Sequence, residues 1–87
     1  MITGTTASGF AYSIPDENVN NMEFLDALAE AEDGNPLRIS KVLRLLLGDE
    51  QRKALYDRLR GEDGRVPVES VMAELKDILA NDSSKNS

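Results

Sequence analysis

Apolar residues alternate once, early in the chain, and then recur at helical spacing. In "GFAYSI" at 9–14, Phe10, Tyr12 and Ile14 lie on one side of a period-2 pattern, which predicts a short strand. Pro15 ends it. No clear second strand is seen, so the arm is expected to pack on helices or to pair with another molecule. A homo-oligomer joined through this arm is one expectation. The preceding "MITGTTAS" is small and polar and reads as a frayed start.

From residue 22 the period changes to that of a helix. "MEFLDALAEAED" at 22–33 follows Asn20 and Asn21, either of which can cap it. Its stripe is read as Met22, Leu25, Leu28 and Ala29, widened by Phe24 and Ala31, with Gly34 as the residue past its end. "NPLRISKVLRLLLG" at 35–48 carries Asn35 as cap, Pro36 in the first turn and Gly48 as terminator. Ile39, Val42, Leu43 and Leu46 form its core face, and Arg38, Lys41 and Arg44 form a basic stripe. "DEQRKALYDRLR" at 49–60 is a third helix, with Asp49 as its cap. After the turn "EDGRVP", residues 68–80 form a fourth, with Val68, Val71, Met72, Leu75, Ile78 and Leu79 as its stripe. The layout is a flexible start over 1–8, a helical domain over 9–80 and a disordered polar tail over 81–87. The fold class is all-α: about four short helices behind an extended arm.

One feature resists this pattern. Leu43, Leu45, Leu46 and Leu47 cannot share a face at about 100° per residue. Either the helix is central and buried nearly all round, or Leu45 and Leu47 face a partner. The candidate partner-binding residues are therefore Leu45 and Leu47, with Arg44 and Tyr56 beside them and Phe10 and Tyr12 on the arm.

Composition narrows the chemistry. The chain has 87 residues, enough for one domain, in which about 60–65% of the unfolded surface can be buried. It lacks Cys and His, which removes disulfides, thiolate metal sites and the commonest general base. Ser13, Ser40 and Ser70 have no His to activate them. The pair Asp26 and Glu30 reads as a solvated helix face. "EDGRV" resembles part of a calcium loop, but that register puts Leu59 and Ser70 where two carboxylates are needed, so a turn is expected. No enzyme, cofactor or metal is expected. No run is long enough for a membrane span and no signal peptide is evident, so the chain reads as cytoplasmic.

The net charge is −6, spread as −7 over residues 1–37, +4 over 38–60 and −3 over 61–87. The basic middle is expected to pair with its acidic flanks or to meet a partner. Helices 36–47 and 50–60 could form a helix-turn-helix of a DNA-binding prophage regulator. However, Asp49 and Glu50 open the second helix and the whole chain would repel phosphate, so nucleic acid is disfavoured. A small acidic inhibitor of a host protein is a third reading.

The order of segments carries a resemblance. The "GFAYSIP" arm, the acidic "NMEFLDALAEAEDGNP" helix, the "VLRLLLGDEQRKALYDRLR" pair and the "EDGRVPVESVMAEL" ending together span residues 9–79. They resemble the small tail assembly chaperones of long-tailed bacteriophages and prophages of Gram-positive hosts. The resemblance implies a non-enzymatic protein in the host cytoplasm. It would coat the tape measure protein, keep it soluble and help recruit tail tube subunits. It transfers no site residues.

Overall fold

The computed structural model describes residues 1–33 and 35–85, with side chains described as far as residue 80. The elements are β1 (Ile2–Thr5), β2 (Ala11–Ile14), α1 (Asp16–Val19), α2 (Met22–Glu32), a 3₁₀ turn (Pro36–Arg38), α3 (Ile39–Leu59) and α4 (Val68–Lys85). The fold is mostly helical but not all-α, because the N-terminus is a β-hairpin. β1 pairs antiparallel with β2, from Ile2 opposite Ile14 to Thr5 opposite Ala11. The expected flexible start at 1–8 is thus corrected: it holds the missing strand, and the arm's partner lies in the same chain.

The physical reason is a glycine opposite an aromatic. "ITGT" has one large apolar residue and little strand signal of its own. Gly4 stands opposite Tyr12, and a Cβ there would lie 2.5 Å from the Tyr12 hydroxyl. The ring lies across the glycine and covers the backbone that a side chain would otherwise shield. Phe10, Tyr12 and Ile14 all point inward and are buried.

The helix starts follow the expected chemistry. The Asn21 side chain accepts from the Glu23 N–H at 3.0 Å, and Asn35 accepts from the Leu37 N–H at 3.2 Å. Pro36 opens a 3₁₀ turn rather than an α turn, so α3 proper begins at Ile39. Gly34 lies outside the described residues. α4 continues to Lys85, past the expected end at 80; the tail reading at 86 and 87 falls outside the described residues.

α3 is the central element, and Gly48 breaks it into two segments with φ 81° and ψ 167°. That conformation belongs almost exclusively to glycine. The break frees carbonyls at the end of the first segment, and side chains take them up. Asn18 Nδ2 donates to the Leu46 carbonyl at 2.9 Å, and Gln51 Nε2 donates to that of Leu47 at 2.8 Å. Asp49, the expected cap, instead accepts from Arg52 at 3.2 Å. Val42, Leu43, Leu46 and Leu55 are the fully buried centre of the core. α2, β2 and α4 all pack on α3.

Candidate functional site

Three of the six candidate partner-binding residues face inward. Phe10, Tyr12 and Leu47 are buried, so they belong to the core and not to a partner surface. α3 is central and Leu47 packs under its neighbours, while Leu45 is half-buried at the core's margin. Arg44 is exposed, and Tyr56 is half-buried with the Arg52 guanidinium 5.8 Å from its ring centre.

The basic middle of the chain is largely spent internally. Arg38 pairs with Glu30 at 2.5 Å, and Arg60 pairs with Asp57 at 3.1 Å and donates to the Gly64 carbonyl. Arg52 meets Asp49 and the Ser40 hydroxyl, and Arg58 donates to the Ser8 carbonyl. The "EDGRVP" segment is a turn in which Asp63 accepts from the Arg65 N–H at 3.0 Å. Among the described residues, no group of three or more Asp, Glu, His or Cys side chains could hold a metal ion, and no helix is long and apolar enough to cross a membrane.

The informative departure is the phase of α2. Its buried side chains are Phe24, Ala27 and Ala31, spaced i, i+3, i+7. The expected stripe is displaced: Met22 is 67% exposed and Leu25 is 46% exposed. α2 therefore has a second apolar face, outside the core. Turning about 100° per residue from the buried face, one meets Leu28, then Glu32 and Leu25, then Ala29 and Met22.

Leu28, between that face and the core, borders a groove that Met22, Leu25 and Ala29 do not line. α2 and α4 each pack on α3 but barely touch one another. Between them lies an open apolar cavity of about 310 Å³, walled by Leu28 and Ala31 of α2 and by Met72, Leu75 and Leu79 of α4. Ile39 at the start of α3 forms its floor, and Glu32 and Lys76 stand on opposite rims. A second hollow of about 240 Å³ lies on the other side of Ile39, between Pro36, Tyr56, Val66 and Val68. Val68 is 58% exposed and Leu37, beside Pro36, is 86% exposed. An exposed apolar run of this kind marks an interaction surface. Sequence reading missed it because the α2 stripe was assigned to the core.

A second feature was also missed. Glu74 is buried on α4. Its Oε1 accepts from Thr6 Oγ1 at 2.8 Å and from Ser8 Oγ at 2.7 Å. Thr6 Oγ1 in turn accepts from the Phe10 N–H at 3.1 Å. Asp77, one turn on, accepts from the Ala7 N–H. The hairpin loop is thus held on α4 by two carboxylates. The available signal was Glu74's place within the apolar stripe, three residues after Val71 and four before Ile78.

No protein-family model matches the chain, and no curated protein or solved structure is significantly similar to it.

Proposed function

We propose that this protein is a phage tail assembly chaperone, a non-enzymatic binding module that keeps a tape measure protein soluble and helps recruit tail tube subunits. The observation that carries the reading is the open apolar groove between α2 and α4. A chaperone for a long helical client needs apolar contacts that are made repeatedly and weakly along it. A single shallow groove on a small acidic domain suits that task, since net charge keeps the unloaded chaperone dispersed. The resemblance of residues 9–79 to such chaperones supports the same reading. DNA recognition is less well supported, because Arg38, Arg52, Arg58 and Arg60 are engaged within the chain.

Co-expression with the tape measure protein of the same phage or prophage tests the proposal. The soluble yield of the client should rise, and the two proteins should co-purify. Unchanged yield with no co-purification refutes the reading. A salt-dependent shift of phage DNA would replace it with the regulator.

A further inference from the structure

We infer that this protein forms a weak two-fold dimer, in which Leu37 of each copy enters the second hollow, beside Pro36, of the other. The inference goes beyond the client reading and does not depend on it.

The observation that carries it is a knob beside a hole. Leu37 is 86% exposed, the highest value among the described large apolar residues. It follows Pro36 in the 3₁₀ turn, and Pro36 is part of the wall of the 240 Å³ hollow. Leu37 does not line that hollow itself; Tyr56, Val66, Val68 and Val71 supply most of the remaining wall. Val68 is 58% exposed, so apolar surface continues onto the rim. One exposed leucine is ordinary on a protein surface. A leucine that adjoins an open apolar hollow meets the requirement of two-fold association, because one patch must then serve both copies and be complementary to itself. A two-fold axis between Leu37 and the hollow sets each leucine over the hollow of the other copy.

Charge favours a second copy here and opposes it elsewhere. Residues 36–40 and 65–71, which supply most of the patch, contain Arg38, Arg65 and Glu69 as their charged residues. Arg38 already pairs with Glu30, so one charge of each sign remains, and a copy of the same patch brings the complementary pair. The exposed Met22 and Leu25 of α2 offer another apolar surface, but α2 carries four acids and no base, so a second α2 would bring like charge. The hollow shares only Ile39 with the α2–α4 groove, so the two sites are separable by mutation. The patch is small, which places the dimer at the weak, reversible end of specific interfaces.

Sedimentation equilibrium of the full chain tests this, over protein concentrations from about ten micromolar to about one millimolar, the range that a small interface calls for. Wild type should pass from monomer to dimer across it. Leu37→Ser should weaken the dimer by about a hundredfold or more, because each dimer loses two buried leucines. Its circular dichroism spectrum should not change, since Leu37 is exposed in the monomer. Val68→Glu should also weaken the dimer by setting a carboxylate on the wall of the hollow, and an acid in the first turn of α4 is compatible with the helix. A mixture of the two variants should associate more tightly than either alone. The Val68→Glu chain keeps its leucine and the Leu37→Ser chain keeps its hollow, so one of the two contacts is restored. Leu25→Ser should leave the dimer unchanged. A monomer throughout the range, open-ended oligomers, or a dimer indifferent to Leu37→Ser would overturn the inference. So would a dimer that Leu25→Ser dissociates, or a mixture that associates no better than its separate components.

Discussion

The carboxamide of Gln51 pairs with both main-chain groups of Ser13. Its Nε2 donates to the Ser13 carbonyl at 2.7 Å, and its Oε1 accepts from the Ser13 N–H at 2.8 Å. A side chain on α3 thus stands where a third strand would lie and closes part of the open edge of β2. The same Nε2 reaches the Leu47 carbonyl, so one residue joins the hairpin to the break at Gly48.

Gln51→Ala should lower stability by about 0.5–1.5 kcal/mol, the net worth of a hydrogen bond whose exposed partners can turn to water. Gln51→Glu should be at least as damaging. It keeps an acceptor for the Ser13 N–H but sets a carboxylate against two carbonyl oxygens. Urea unfolding of both variants measures this. A Glu variant as stable as wild type would show that the Nε2 bonds contribute nothing.

Gly48→Ala should cost about 1–3 kcal/mol through backbone strain alone. A Cβ at this position meets nothing within 4 Å, so crowding is excluded as the cause. Gly48→Asn should be no milder than Ala. At ψ 167° the residue lies outside the left-handed helical well that Asn tolerates. Thermal or urea unfolding distinguishes strain from crowding by this pair.

Leu47→Ala should lose about 2–5 kcal/mol, as for other fully buried leucines. Leu45→Ala should lose well under half as much, because Leu45 is only half-buried. Comparable losses in urea unfolding would contradict the placement of these two residues.

The helix punctuation was legible because each signal is local. Asn21, Asn35 and Gly48 act through neighbours a few residues away, and the two asparagines cap as expected, whereas Pro36 opens a 3₁₀ turn and Asp49 turns to Arg52. The core face of α3 was legible because Ile39, Val42, Leu43 and Leu46 all serve the core. α2 was misphased because it bears two overlapping apolar stripes. Periodicity favours the one with larger side chains, whereas the face buried against the core uses the smaller Ala27 and Ala31, about one and two turns after Phe24. β1 escaped notice because its pairing depends on Tyr12, which lies eight residues beyond Gly4 in the sequence. The groove was out of reach for another reason. It exists because α2 and α4 do not pack together, and no local pattern encodes a missing contact.

Glu74 and Thr6 should be energetically coupled. A double-mutant cycle with Thr6→Val and Glu74→Gln should return about 1–2 kcal/mol, within the range for side chains sharing one hydrogen-bond network. Additive effects in denaturant titrations would mean that the hairpin loop is held by other contacts.

The placement of that loop also governs the order in which the domain can be completed. Ser8 meets Glu74 across 66 positions of sequence, and Ala7 meets Asp77 across 70. Synthesis proceeds from the N-terminus, so the hairpin loop leaves the ribosome well before the helix that holds it. Until α4 emerges, the Thr6 and Ser8 hydroxyls and the Ala7 N–H have water as their neighbour, even though β2 can already pack on α3. A nascent chain stalled before residue 74 therefore lacks the latch on the hairpin loop, and protease sensitivity at residues 6–8 should persist until α4 has been made.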